Sequence, residues 1–386
     1  MTRTGDRMTN DLTITDVIAH PLTQKLPTPT VTSWGAYDRV SCVLVEVRTD
    51  DGITGVGETL ARFAPKAYCE LIDTALKPRI LGQPASAIAA HWASMRRALS
   101  GRAGGMLLEA MSGIDIALWD IHGQRAGLPL YQLLGGLGRP VVDVYAAAVN
   151  WGDDENAKAE LERYIDAGFK QIKIKIVSDV EASCRRIEQM RAVAGAQVDL
   201  CVDANWAYEL DGALKVGDAL GANGYVWFEE PLAPEDEDGY EALHAQCITP
   251  LAAGESDFVT AQSKRLVGNR TLSILQPDVA RSGGITGTRR MIDFAAAHGV
   301  AYAPHIGMSG IVCETASVHL AAASPNFRIM ECETDGSPFK TQLADLDPGS
   351  IRQRGSQVAV PQGPGLGLTI DWDAVRALHP DRESSA

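Results

Sequence analysis

Asp203-Ala204-Asn205, Glu229-Glu230-Pro231 and Gly254-Glu255-Ser256 are the stretches on which the fold reading turns. Their acids Asp203, Glu229 and Glu255 are evenly spaced, with 229 − 203 = 26 and 255 − 229 = 26. Each motif follows a short apolar run: Val198-Asp199-Leu200-Cys201-Val202, Tyr225-Val226-Trp227-Phe228 and Thr249-Pro250-Leu251-Ala252-Ala253. A strand, a loop, a helix and a second loop take about 25–30 residues, one unit of an eight-fold parallel barrel of ~250 residues. The spacing therefore predicts three neighbouring strand ends on one rim, each presenting a carboxylate. Carboxylates so clustered repel unless a cation sits among them, and hard oxygen donors with open positions suit Mg²⁺. Any one acid alone reads more simply as a helix cap after a strand. The repeated interval favours the metal.

The 386 residues exceed one average domain and predict a large barrel with a smaller domain, or two domains. With 45% hydrophobic and 22% charged residues, the core can be large. A net charge of −14 argues against nucleic acid and against an anionic membrane surface. It leaves anionic substrates open, because a divalent ion and local lysines can reverse the field of one pocket. The seven cysteines are scattered without a Cys-x-x-Cys pair, which points to a reducing compartment and away from disulfides or zinc. No apolar run is long enough to span a bilayer, so the expected location is the cytoplasm.

Residues 1–10 are polar and read as an unstructured lead-in. A strand from Leu12, a Pro/Thr-rich loop through Pro27, Pro29, Trp34 and Tyr37, and strands at Val40–Val47 and Thr54–Gly57 follow. Asp50-Asp51-Gly52 between the last two predicts a hairpin turn. Helical patterns at 64–78, 86–99 and 106–126 complete an α+β domain. From Val141 the grammar changes to alternating strand and helix. Gln171-Ile172-Lys173-Ile174-Lys175-Ile176 alternates with period two, isoleucines on one face and both lysines on the other. An edge strand with a solvated lysine face is the plainer reading. The acids brought to the same rim by the next three units favour inward lysines with anionic partners.

Further strands are expected at Leu272–Gln276, Val300–Ala303 and Phe327–Met330, followed by Pro277-Asp278, Pro304-His305 and Glu331. Polar groups at strand C-termini are where barrel enzymes keep their chemistry. After about 335 the alternation stops. Pro361–Gly367 is rich in Pro and Gly but lacks the Gly-Lys-Ser/Thr ending of a phosphate loop, so it reads as a structural connection.

With these groups at one mouth, a metal and its carboxylate substrate would stabilise the charge formed when the adjacent C–H proton leaves. Nearby cations lower a lysine pKa, so Lys173 beside Lys175, with Mg²⁺ close by, predicts an amine able to act as a base. Asp278 and His305 read as a dyad in which the acid fixes the imidazole tautomer. Glu331, if protonated, would donate a hydrogen bond to the developing oxyanion.

Those residues resemble the enolase superfamily, specifically the mandelate racemase subgroup of its mandelate racemase/muconate lactonizing enzyme family, over roughly 12–375. The resemblance implies an α/β fold, a modified TIM barrel of the (β/α)7β type under an N-terminal α+β capping domain. The domains are expected at 1–136 (capping), 137–340 (barrel) and 341–386, a segment returning to the capping domain. It implies one Mg²⁺ per subunit on Asp203, Glu229 and Glu255, with Lys173, Lys175, Asp278, His305 and Glu331 catalytic and Lys175 the base. It also implies Asn205 near metal or substrate, a small carboxylate substrate and a homo-oligomer. Ser112–Asp120 and the Gly-Pro-Gly-Leu-Gly segment are similar to the acid-sugar branch, nearest its galactarolactone cycloisomerase type. The loop Ile306-Gly307-Met308-Ser309-Gly310 departs from that type by lacking a tryptophan two residues after the histidine. Trp34, Tyr37, Arg62 and Phe63 in the capping loops are the substrate candidates, although loop aromatics more often serve packing.

The implied reaction is removal of the proton α to the carboxylate of an acid sugar or its lactone. β-Elimination then makes the enzyme a dehydratase or cycloisomerase. Racemisation or epimerisation of a 2-hydroxy acid or amino-acid derivative is the alternative within enzymes, and a non-catalytic magnesium-binding barrel the alternative outside them.

Overall fold

The computed structural model describes residues 11–33, 35–100, 103–136, 139–256, 263–333, 338–345 and 353–379. The reading of 1–10 and the candidate Trp34 lie outside the described residues. At the N-terminus, β1 (Ile14–Thr32), β2 (Gly35–Thr49) and β3 (Thr54–Leu60) form an antiparallel sheet. The Pro/Thr-rich stretch expected as a loop is instead the end of a long β1–β2 hairpin. Pairing runs to Lys25↔Arg39, breaks, and resumes at Thr30↔Tyr37. Pro27 and Pro29 fall in the break, where no ladder amide is required, so the strand continues beyond them.

The long helix Met106–Ala126 crosses this sheet at backbone contact. A Cβ on Gly57 would lie 1.7 Å from the carbonyl oxygen of Gly113, and one on Gly113 would lie 2.5 Å from Val45. The first pattern is met by a continuous helical stretch, an α-helix Pro65–Leu71 that widens into a π turn at Ile72–Leu76 and ends in a 3₁₀ turn at Lys77–Arg79, whereas the next helix, Ile88–Met95, is shorter than its pattern.

The second part is a barrel of eight parallel strands: β4 (Val141–Val149), β5 (Gln171–Lys175), β6 (Asp199–Asp203), β7 (Phe228–Glu229), β8 (Leu251–Ala253), β9 (Ile274–Leu275), β10 (Ala301–Tyr302) and β11 (Met330–Glu333). The strands pair in chain order from β4 to β10, and β11 returns to pair with β4. Backbone bonds Tyr302 N–Asn326 O (2.9 Å), Arg328 N–Tyr302 O (2.8 Å) and Glu331 N–Pro304 O (3.3 Å) close the β10–β11 seam. Residues 326–328 are spent on that seam, which moves the last strand toward the C-terminus of its predicted place. Glu331 accordingly lies inside β11, not after it. Among the described residues seven helices link the eight strands, an α/β barrel of the (β/α)7β pattern. Tyr145, Cys201, Trp227, Ala252, Ile274 and Ala303 pack its interior. A larger apolar layer lies between strands and helices.

Two side-chain caps fix the first part over the mouth of the barrel. Ser112 Oγ accepts the amides of Gly283 and Gly284 (both 3.0 Å), and Asp115 Oδ2 accepts that of Thr286 (2.8 Å). These groups cover the N-terminus of the helix Gly284–Ala297. Glu58, from β3, accepts the amides of Gly310 and Cys313 at the start of the next helix, Ile311–Ala323. Orphan amides and positive dipole ends of two barrel helices are thereby satisfied from the other sheet-and-helix layer. The turn-rich Pro361–Gly367 is a structural connection, as read: Leu366 N–H bonds Asp120 Oδ1 (2.8 Å) and Gly365 O accepts Leu130 N–H (2.8 Å). Among the described residues no helix is long and apolar enough to cross a membrane.

Candidate active site

Asp203 ends β6, Glu229 ends β7, and Glu255 follows β8 by two residues. Each offers an oxygen within 4.8 Å of the others, and all three are buried. The chain turns off these strands through left-handed residues, Asn205 (φ 44°), Trp206 (φ 60°), Glu230 (φ 43°) and Gly254 (φ 128°). Glu230 holds those turns together. Its Oε2 accepts Trp206 Nε1 (2.8 Å) and Tyr240 OH (3.1 Å), and its Oε1 accepts Gly254 N–H (2.9 Å). Burial, reinforced by Glu255, pushes Glu230 up to about 8. The sequence names it only as a motif neighbour; its role as a tie between turns depends on contacts that no spacing reveals.

Lys173 points into the barrel, 1% exposed, and donates to Glu229 Oε1 (2.8 Å) and Glu331 Oε1 (2.5 Å). Lys175, nearer the mouth, donates to Asp203 Oδ2 and to Asn205 Oδ1 (3.1 Å). Both lysines point inward, as read. Burial pulls Lys173 down, but Glu229 and Glu331 outweigh it and hold its ammonium well above the usual lysine range. Burial likewise lowers Lys175, and Asp203, aided by Glu255, overrules both burial and Lys173 to raise it. Burial lifts Glu229 to about 7 against the pull of Lys173.

His305 sits between two acids, with Nδ1 2.9 Å from Asp278 Oδ2 and Nε2 3.0 Å from Glu255 Oε2. Burial disfavours the imidazolium, yet Glu255 and Glu331 raise it well above the ordinary histidine value. Glu331 corrects an expectation. Burial would protonate it, but Lys173 and His305 hold it far below the carboxylate range, so it is an acceptor and not a donor. Its Oε2 accepts Ile306 N–H (2.9 Å) in the loop that carries His305. At the position lacking tryptophan, Gly307 has φ 53° and lies against the imidazole: a Cβ there would meet His305 Cε1 at 2.6 Å. Gln276 and Trp227, which no motif singled out, donate to Glu229 Oε2 at 2.9 and 3.1 Å.

Asn205 is buried in the site, while Tyr37 stands at the lip, half-buried, edge-to-face with Phe63 at 5.9 Å. From the capping loops, Ser33 Oγ donates to Asn205 O (2.5 Å) and Arg62 places a guanidinium nitrogen 3.8 Å from Glu255 Oε1. Three buried carboxylates converging hard oxygen donors in one small space fit a divalent cation such as Mg²⁺.

A closed barrel with carboxylates, lysines and a histidine dyad at its strand ends defines a barrel enzyme. Residues 13–135 match the family described as mandelate racemase/muconate lactonizing enzyme, N-terminal domain, and residues 156–374 match enolase C-terminal domain-like. The chain belongs to the mandelate racemase/muconate lactonizing enzyme family of the enolase superfamily, in its acid-sugar branch, an enzyme of lyase or isomerase type. It is 34% identical over 375 residues to D-galactarolactone cycloisomerase of Agrobacterium fabrum, covering 94% of this chain and 97% of that one. It is 33% identical over 341 residues to arabinonate dehydratase of Saccharolobus solfataricus, covering 85% and 88%. A racemase from Streptomyces coelicolor with bound magnesium superposes with a TM-score of 0.85 at 29% identity, over 95% of this chain and 99% of that one.

Proposed function

We propose that the enzyme removes the proton α to the carboxylate of an acid sugar or its lactone and then eliminates the β substituent, as a dehydratase or cycloisomerase. The observation that carries this reading is the placement of Lys175 on Asp203 and His305 on Glu255, two proton-transfer groups held against separate members of one acidic triad. Asp203, Glu229 and Glu255 would hold one Mg²⁺. Bound there, Mg²⁺ supplies Lewis-acid stabilisation of negative charge on the substrate carboxylate and offsets the acidic field that keeps Lys175 protonated. Lys175 takes the α proton, its Nζ aimed by Asn205. Lys173 stays charged between Glu229 and Glu331 and faces the negative charge that develops. Asp278 accepts Nδ1–H of His305, which leaves Nε2 to protonate the departing oxygen at the β carbon. The electron pair of the broken C–H bond forms the new double bond, the C–O bond breaks, and the enol product tautomerises to a 2-keto acid.

The test is a screen of acid sugars and their lactones in Mg²⁺, read by 2-keto product and by solvent deuterium uptake at the α carbon. Neither signal from any member of such a library would sink the proposal. Racemisation is the second reading, favoured by the same two groups flanking the triad. It predicts deuterium uptake and inversion from substrates without a β leaving group.

A further inference from the structure

Arg62 stands out among the groups around the triad because part of its hydrogen-bonding capacity is unused among the described residues. It follows β3 and reaches toward the barrel mouth from the capping side, its side chain 25% exposed. Its Nε is buried and has no hydrogen-bond partner among the described residues. Its closest acid, Glu255 Oε1, is 3.8 Å away, beyond hydrogen-bond reach. The second arginine on this side, Arg281, is engaged differently: its Nε donates to Glu109 Oε1 at 3.0 Å, and Tyr68 OH donates to the same carboxylate. Glu255 lies between His305, on one of its oxygens, and Arg62, facing the other. Tyr37, Phe63 and Met308 line the same recess at the lip.

A guanidinium is a rigid planar fork of donors that matches a carboxylate bidentately, and a buried donor without a partner is costly. Resting on the proposed acid-sugar chemistry, we infer that Arg62 binds a second carboxylate at the far end of the substrate, so that the enzyme takes diacids or their lactones in preference to monoacids. The reactive carboxylate belongs at the triad, among Asp203, Glu229 and Glu255. Arg62 stands across Glu255 from His305, in the recess lined by Tyr37, Phe63 and Met308 where the rest of the substrate would lie. A terminal hydroxymethyl group would engage fewer of these donors. The competing role for Arg62 is charge balance for Glu255 alone.

The test compares galactarate with galactonate, and glucarate with gluconate, pairs that differ at the end remote from C1. Binding is measured by calorimetry in Mg²⁺, and turnover where it occurs, for wild type, Arg62→Met and Arg62→Lys. The wild type is expected to bind a diacid at least tenfold more tightly than its monoacid. Arg62→Met should abolish that preference, with a loss for the diacid of about 10–100-fold and at least tenfold greater than for the monoacid. Arg62→Lys, which keeps charge but not the fork, should fall between; matching melting temperatures establish that both variants fold. Equal losses for both members of a pair, or a wild type that prefers monoacids, overturn the inference. Turnover of monoacids alone overturns it while leaving the proposed chemistry standing. Diacid binding that depends on Arg62 without any proton exchange sustains it while removing that chemistry.

Discussion

Asp278 Oδ2 lies 2.9 Å from His305 Nδ1, and this one contact decides which nitrogen of the ring faces the triad. The acid accepts Nδ1–H, so Nε2 is the atom presented beside Glu255. Asp278→Asn would offer an amide that can donate to Nδ1 and favour the opposite tautomer. The expected result is a fall in kcat of about 10²–10⁴-fold, the range of general acid–base catalysis. Circular dichroism should be unchanged. If Asp278 were only packing, a kcat within threefold of wild type would show it.

Asp203, Glu229 and Glu255 bring three buried carboxylates within 4.8 Å of one another, so a divalent ion that binds the folded chain should stabilise it. A ligand at a hundred times its Kd contributes about 2.7 kcal/mol. The melting temperature of the wild type should therefore rise as MgCl₂ is added. Glu255→Gln should require at least tenfold more MgCl₂ for the same rise. A wild-type melting curve indifferent to Mg²⁺ but shifted by Zn²⁺ would assign the site to another ion.

Burial pushes Asp115 up to about 7, and Arg290 and the amides of Thr286 and Ile285 only partly oppose it. Its Oδ1 has no hydrogen-bond partner among the described residues. The folded chain therefore holds this proton more tightly than the unfolded chain does. Its contribution is fully present below the unfolded value near 3.8 and is lost as pH rises through about 7. The loss is roughly 4 kcal/mol at one pKa unit per 1.36 kcal/mol. In Asp115→Asn this part of the pH dependence should vanish, flattening the decline in denaturant midpoint between pH 4 and 7. An unchanged slope would show that Asp115 is ionised throughout.

Gly57 and Gly113 meet where β3 crosses the long helix, with 1.7 Å between a Cβ on the first and the oxygen of the second. Gly57→Ala must separate sheet from helix, at a cost of about 1–3 kcal/mol or more. Because both elements also carry the caps Glu58 and Asp115, the shift should reach the barrel. Thermal denaturation should show a lower midpoint, and proteolysis should cut more rapidly near residues 283–286 and 310–313. A stability equal to wild type would mean the crossing is not close packed.

Short-range periodicity made the barrel and its rim acids legible. A period of 26 residues placed Asp203, Glu229 and Glu255, and two-residue alternation turned Lys173 and Lys175 inward. What escaped depends on partners far along the chain. Lys173 and Glu331 are 158 residues apart, so nothing local shows that the lysine keeps the acid ionised. The link from Ser112 to Gly284 spans 172 residues, and a motif read as a family likeness proves to be a cap for a barrel helix. Pro27 and Pro29 suggested a loop because a lone strand cannot carry them, whereas a hairpin with a break in register can. Arg62 was visible as a loop residue, but its unused Nε is a property of the assembled lip.

The two caps reaching from β3 and the long helix to successive barrel helices also separate what the enzyme does from what it does it to. Glu58, Ser112 and Asp115 lie behind the lip and set its height and tilt without forming its inner surface. Substitutions at the hairpin tip and after β3 should therefore leave Lys175 and His305 where they are, so that the lip can vary independently of the barrel rim.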